Sequence, residues 1–144
     1  MKKSKPLQHD DSSGFEFVKE ILDNDPTYAI NFDRLQFHPK KGYIIFEYLL
    51  CEEDQSVNPY TSHPNRYWDK NARKFISLFK VSKDLPAKLI LVNYAKRDTK
   101  HEDKVYVIEV LDVNKSKGII DSKETKMTRS SFQKWFRQLN NDCQ

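Results

Sequence analysis

A four-residue apolar run, Leu89-Ile90-Leu91-Val92, constrains the fold of this chain more than any other segment. A strand that faces solvent on one side alternates apolar and polar residues, whereas a run without alternation indicates a strand that is covered on both faces. Helical patterns occur before and after this run. We therefore predict an α/β domain in which helices flank a mixed sheet, in two or three layers.

The remaining patterns predict the element order α-β-β-α-β-β-α in a single domain over residues 14–144, after a disordered tail over residues 1–13. Apolar residues at helical spacing predict three helices, near 14–24, 65–83 and 128–140. Strand patterns cover 28–38, 43–51, 89–92 and 105–111. In the first helix, Phe15, Val18, Ile21 and Leu22 fall on one face, and Thr128 can cap the last helix. The fold class predicted is a mixed β-sheet of four or more strands flanked by helices.

Composition excludes several classes of protein. Only three glycines occur in 144 residues, which argues against a glycine-rich phosphate loop and against a dinucleotide-binding fingerprint. No apolar run reaches the roughly 18–20 residues of a membrane helix, so we expect no membrane partner. Two distant cysteines, Cys51 and Cys143, are typical of a reducing compartment with free thiols, and we expect a cytoplasmic location.

Charge is distributed unevenly along the chain. Between Gly14 and Val57 there are four basic and nine acidic residues, a net charge of −5, and between Arg66 and Lys100 there are ten basic and three acidic residues, a net charge of +7. An acidic half beside a basic half suits an enzyme that acts on a polyanion through metal ions. The other interpretation is that these charges cover solvated faces.

Two carboxylates on the first two predicted strands form the main candidate site. Glu47 is the only charge in its strand and has apolar neighbours on both faces, and an ionised carboxylate is costly to bury without a partner. If the turn is a three-residue loop centred on Lys40, Asp33 falls directly opposite Glu47. A loop of two or four residues would put the two carboxylates on opposite faces of the sheet.

Two facing carboxylates repel each other, and a divalent cation would convert this repulsion into coordination. Mg²⁺ is commonly held by one or two carboxylates together with waters and substrate phosphate oxygens. A bound metal lowers the pKa of a water ligand and offsets negative charge at phosphorus. The hairpin therefore predicts a Mg²⁺ site formed by Asp33 and Glu47.

Over about residues 14–94, the order of elements and carboxylates resembles the PD-(D/E)XK restriction-endonuclease-like superfamily. A helix is followed by a strand with Asp, a hairpin, a strand with Glu, a second helix and further strands. The resemblance implies that Asp33 and Glu47 are catalytic residues and metal ligands. It implies that Glu20 on the first helix is an additional metal ligand, with Mg²⁺ as cofactor and DNA as partner.

The chain departs from the superfamily pattern at the motif lysine and in the number of strands. The motif has a lysine two residues after the glutamate, where this chain has Leu49, and the core has three strands before the crossover helix, where two are predicted here. In some branches the lysine is on the following helix, so Lys70 or Lys74 can take this place, and we assign the catalytic role to Lys74. The candidate DNA contacts are the residues on the basic side of that helix, Arg66, Lys70 and Arg73.

Three functions are open on these grounds. The first is a nuclease-like domain that binds DNA and hydrolyses phosphodiester bonds with Mg²⁺. The alternative is a non-catalytic domain of the same fold that binds protein or nucleic acid, which the absence of the motif lysine favours. The third is a small accessory protein whose aromatic surface mediates assembly.

Overall fold

A computed structural model of the protein describes residues 13–143. Its helices and strands, in chain order, are α1 (Ser13–Leu22), β1 (Arg34–His38), β2 (Gly42–Leu50), α2 (Trp68–Asp84), β3 (Ala87–Tyr94), β4 (Lys104–Asn114), β5 (Gly118–Thr128) and α3 (Arg129–Asp142). A short 3-10 helix, Pro64–Tyr67, leads into α2. The tail predicted for residues 1–13 lies outside the described residues except at Ser13, which belongs to α1.

The strands form one mixed sheet in the order β1-β2-β3-β4-β5. β2 and β3 are parallel, and the other neighbours are antiparallel. α2 lies in the connection between the two parallel strands, because parallel neighbours need a crossover. The predicted fold class, a mixed sheet of four or more strands flanked by helices, is confirmed. None of the three described helices has the length and apolar character needed to cross a membrane.

The apolar run Leu89-Ile90-Leu91-Val92 lies in β3 and is buried on both faces of the sheet. Leu89 and Leu91 belong to a core that includes side chains of α2, whereas Ile90 and Val92 belong to a core that includes side chains of α3. The two helices therefore cover opposite faces of the sheet. The prediction of a strand covered on both faces is confirmed.

The last helix, α3, begins where its sequence predicts. The hydroxyl of Thr128 accepts a hydrogen bond from the Ser131 backbone N–H at 3.1 Å, which satisfies one of the donors left unpaired at a helix start. Phe132 and Phe136 pack on the sheet, and the ring centroid of Phe136 lies 5.3 Å from that of Phe46. The apolar stripe of α3 thus covers the face of the sheet opposite α2.

Strand β5 is missing from the prediction, so the observed order is α-β-β-α-β-β-β-α. β5 is an edge strand in which only Gly118 and Ile119 are buried, and most of its residues are polar. Charged residues at an exposed sheet edge discourage pairing with another chain. Such a strand lacks the apolar alternation from which strands are predicted.

The helix α1 makes no contribution to either core. It contains no buried residue, and Phe15, Val18 and Ile21 are each more than half exposed. Its apolar face is visible in the sequence, but periodicity indicates only which residues share a face. The partner for that face is a property of the tertiary structure.

The strand predicted over residues 28–38 is wrong for its first half, because β1 begins at Arg34. The backbone N–H of Asp33 donates to the carbonyl of Phe46 at 3.2 Å. The carboxylate of Asp33 then accepts the backbone N–H of Tyr48 at 2.8 Å. If the strand extended further, its backbone carbonyls would accept the N–H groups of β2. The side chain of Asp33 accepts one of these N–H groups instead, so the pairing of β1 with β2 stops at this point and residues 26–32 lie outside the sheet.

Candidate functional site

The hairpin β1–β2 positions the two predicted carboxyl groups. Its turn consists of the three residues 39–41, and its register pairs Arg34 with Phe46. This is the register predicted from a three-residue loop. Asp33 directly precedes Arg34, so it lies opposite Glu47 on the neighbouring strand.

Glu47 is buried and is only 5% exposed. Its Oε1 lies 2.7 Å from Nζ of Lys74, and its Oε2 has no hydrogen-bond partner among the described residues. Burial raises the pKa of Glu47 above its ordinary value, Lys74 opposes this rise, and the carboxyl group of Asp33 adds to it. The surroundings of Glu47 therefore favour a proton or a further cation at this carboxyl group.

Asp33 is exposed and supplies the second carboxyl group of the site. The hydrogen bond from the Tyr48 N–H to its Oδ2, 2.8 Å long, fixes its orientation. The carboxyl group of Asp33 is among the causes that raise the pKa of Glu47. Two ionised carboxylates are both hydrogen-bond acceptors, so neither can satisfy the other without a proton or a cation between them. A divalent cation bound by both groups would take the place of that proton.

Glu47 lines a cleft of about 800 Å³ between α2 and the irregular segment 26–31. α2 contributes three basic residues to the cleft, Lys70, Arg73 and Lys74. Residues at this spacing share one face of a helix. The cleft thus combines the carboxyl group of Glu47 with a positively charged wall, and Asp33 lies next to it, directly before the neighbouring strand, without lining the cleft. A carboxyl group beside a positive wall suits an anion that binds together with a cation.

The structure brings Asp33, Glu47 and Lys74 together, with Lys70 and Arg73 in the same cleft, but it does not bring every predicted residue there. Glu20 lies on α1 and lines a separate surface groove made by that helix and residues 23–24. Arg66 lies in the 3-10 helix, where its Nη1 donates to the carbonyl of Thr61 at 3.2 Å. Arg66 therefore holds the loop that precedes α2.

The position of the motif lysine is occupied by a core residue. Leu49 packs against the apolar cluster beneath α2, so a lysine there would have to be partly buried. Lys74 reaches Glu47 from the helix instead. The superfamily resemblance implies a lysine on this helix, Lys70 or Lys74, and the catalytic role of Lys74 stays a prediction.

No local pattern in the sequence indicates the second wall of the cleft. Tyr28, Ile30 and Asn31 line it, although their sequence pattern predicts part of a strand. Their place depends on how the segment 26–31 passes α2. A crossing of this kind leaves no local signal in the sequence.

A second polar cluster lies near the start of α2, where His63, Tyr106 and Ser122 hydrogen-bond to Glu124. Burial and the bond to Glu124 raise the pKa of Tyr106 to about 12. Nε2 of His63 lies 3.1 Å from Glu124, and Nδ1 accepts the backbone N–H of Asn65. Because both ring nitrogens of His63 have partners, this cluster ties the loop before α2 to strand β5.

Comparisons of the chain with protein-family models, with curated proteins and with solved structures find no match. The cleft at Glu47 is therefore the basis on which a function is proposed.

Proposed function

We propose that the protein is a nuclease-like domain that binds DNA in the cleft and hydrolyses phosphodiester bonds with Mg²⁺ held by Asp33 and Glu47. The observation that carries the proposal is Oε2 of Glu47, a buried carboxyl oxygen without a hydrogen-bond partner among residues 13–143. An unpaired buried polar atom is costly. A divalent cation between the two carboxyl groups would satisfy this oxygen and remove their repulsion.

The residues present fit a Mg²⁺ ion. Mg²⁺ usually takes only one or two carboxylates from a protein and keeps waters and substrate oxygens as its other ligands. Asp33 and Glu47 would be the protein's carboxylate ligands in such a site; within the described part of the chain, no three His, Cys, Asp or Glu side chains are grouped to hold a metal. When bound, the ion would supply an activated water and offset charge at phosphorus.

Lys74 takes the place that the superfamily pattern gives to the motif lysine. Its ammonium group lies 2.7 Å from Glu47 Oε1, and its side chain is 42% exposed, so it can contact both the carboxyl group and a phosphate in the cleft. Lys70 and Arg73 lie on the same face of α2. They would hold the neighbouring phosphates, which positions the strand without specifying its sequence.

A second candidate function is a non-catalytic binding domain of the same fold. Two observations favour it: the carboxylate of Glu47 is already paired with the ammonium group of Lys74, and Leu49 stands where the motif has a lysine. The basic face of α2 then binds nucleic acid or a protein partner without hydrolysis.

Calorimetric titration with Mn²⁺ and Mg²⁺ tests the metal site. We expect the wild-type protein to bind one ion with an affinity that rises with pH, because metal and proton compete for the carboxyl pair. Glu47→Gln should lower the affinity by at least about tenfold. The control is Glu109→Gln, which removes a carboxylate 4.0 Å from Lys88 on the sheet, and it should bind metal as the wild type does.

The two candidate functions are separated by a cleavage assay on short DNA in Mg²⁺ or Mn²⁺. Cleavage by the wild type that is lost in Glu47→Gln and in Lys74→Ala supports the nuclease. Metal binding without cleavage supports the binding domain. Equal metal binding by the wild type and Glu47→Gln would rule out the site at Asp33 and Glu47.

A further inference from the structure

We infer that the cleft takes a single, unpaired nucleic-acid strand and that Tyr28 is the ring on which one of its bases stacks. The inference rests on the proposed function, since it names the form of nucleic acid that reaches Asp33 and Glu47. It starts from the wall of the cleft that faces α2. Tyr28 lies in this wall and is 86% exposed.

Tyr28 is the most exposed of the large hydrophobic residues in the described part of the chain. An aromatic side chain buries a large apolar area when a partner covers it. Because most of the surface of Tyr28 is exposed, this area is free to contact a ligand. Ile30 lines the same wall and is 48% exposed. The wall therefore offers a flat aromatic surface and an apolar neighbour to a molecule that enters the cleft.

The opposite wall carries the charges that a nucleic-acid backbone requires. Lys70, Arg73 and Lys74 line the cleft from α2. Proteins that bind single strands without sequence preference combine a positively charged groove, which follows the backbone, with aromatic rings on which bases stack. Both parts are present here on facing walls.

A duplex can contact the basic wall, but it cannot stack a base on Tyr28 or reach into the recess at Glu47. Its bases are covered by their neighbours in the stack, and a protein reaches their flat faces only when a nucleotide is unpaired or flipped out. Glu47, to which the reacting phosphate must come, is only 5% exposed. A single strand can bend into such a recess, whereas duplex DNA is stiff over about 150 base pairs and presents its outer backbone.

Fluorescence anisotropy with a labelled oligothymidine strand, and with a duplex of equal length, tests the inference. Ca²⁺ replaces Mg²⁺ so that the strand is not cut. We expect the wild type to bind the strand more tightly than the duplex. Tyr28→Ala should weaken strand binding by about 5- to 100-fold, whereas Tyr28→Phe, which keeps the ring, should stay within about twofold of the wild type.

A matched control and a salt titration separate stacking from charge. Tyr43 is 39% exposed and does not line the cleft, so Tyr43→Ala should bind as the wild type does. Stacking releases no counterions, and Tyr28→Ala should therefore leave the salt dependence of binding unchanged. A variant with Lys70→Ala and Arg73→Ala should reduce the slope of log affinity against log salt by about 0.7 for each phosphate that is no longer neutralised.

The outcomes distinguish this inference from the proposed function. If Tyr28→Ala binds the strand as tightly as the wild type while the Lys70 and Arg73 variant binds weakly, the inference is overturned and the proposed function stands. Tighter binding of the duplex than of the strand overturns it in the same way. If neither nucleic acid binds at low salt, the proposed function fails and the inference fails with it.

Discussion

The carboxyl group of Glu47 lies beside Lys74, yet its pKa is raised, chiefly because burial disfavours the charged form. When the pKa of a group is higher in the folded than in the unfolded state, protonation of that group stabilises the fold. This contribution is complete at a pH below the pKa of the unfolded state. That contribution is lost as the pH rises through the folded pKa. The ionised form of Glu47, even when paired with Lys74, therefore stabilises the fold less than the protonated form does, unless a further cation binds to it.

Glu47→Gln should consequently stabilise the protein in a pH-dependent way when EDTA is present. Below the ordinary pKa of a glutamic acid the two proteins should have similar free energies of unfolding, because Glu47 is then protonated; as the pH rises above it, the variant should become the more stable of the two. Lys74 is 42% exposed and can be rehydrated when its partner is neutral. Urea denaturation at a series of pH values measures the difference. A wild type that gains stability relative to the variant as pH rises would contradict this account, since the ion pair would then outweigh burial.

At the scale of the elements, Asn65 joins the 3-10 helix that leads into α2 to the edge strand β5. Its Nδ2 donates to the carbonyl of Ile119 at 2.9 Å, and its Oδ1 accepts the N–H of Ile119 at 2.8 Å. Gly118 has a φ of +99°, a conformation that favours glycine, and a Cβ at this position would clash with the side chain of Asn65. β5 is thus held by the 3-10 helix before α2 as well as by β4.

Asn65→Ala should destabilise the fold by about 1–3 kcal/mol, because the backbone donor and acceptor of Ile119 lose their partner in a buried setting. Ile119 is only 7% exposed. Thermal denaturation measures the loss, and hydrogen exchange should show faster exchange in β5. Asn71→Ala, in the cleft wall of α2, is the control and should change stability by less than about 0.5 kcal/mol. Equal effects of the two substitutions would show that Asn65 does not join these elements.

The elements that bury apolar residues could be predicted from the sequence, whereas those that depend on single tertiary contacts could not. The apolar run of β3 and the Thr128 cap of α3 are local signals, and the hairpin register follows from the length of its turn. β5 lacks such a signal because it is a polar edge. The start of β1 at Arg34 depends on one hydrogen bond of the Asp33 side chain. The contact between Lys74 and Glu47 depends on how α2 crosses the sheet, and only the superfamily resemblance pointed to a lysine on that helix.

For the molecule as a whole, the basic face of α2 should determine how DNA affinity depends on salt. Replacing Lys70, Arg73 and Lys74 together by Ala should reduce the slope of log affinity against log salt for a duplex by up to about 0.9 for each of the three contacts. The reduction in affinity should be similar for unrelated sequences, because phosphate contacts position without specifying. Anisotropy or gel-shift titrations at several salt concentrations measure both quantities.

The control for this titration replaces three exposed lysines near the turn between β4 and β5, namely Lys115, Lys117 and Lys123. It removes the same charge from a surface that does not line the cleft. If it lowers the slope as much as the variant of α2 does, binding reflects net charge and not the cleft. If neither DNA nor RNA binds to the folded protein at low salt, a protein-interaction domain becomes the better proposal.

β2 and β3 are the only parallel neighbours in the described sheet, and this arrangement determines how the chain folds. β1–β2 is a hairpin with a short turn, and β3, β4 and β5 are successive antiparallel neighbours, so each unit can form from contacts that are close in sequence. The parallel pairing of β2 with β3 joins the two units, and Tyr43 pairs with Ala87 in it. To form this pairing, the chain must close a long loop that contains α2. Closing such a loop is entropically costly, and we expect it to be the slow step of folding. Glu47 belongs to the first unit and Lys74 to the loop, so the cleft is assembled in the same kinetic event that completes the sheet.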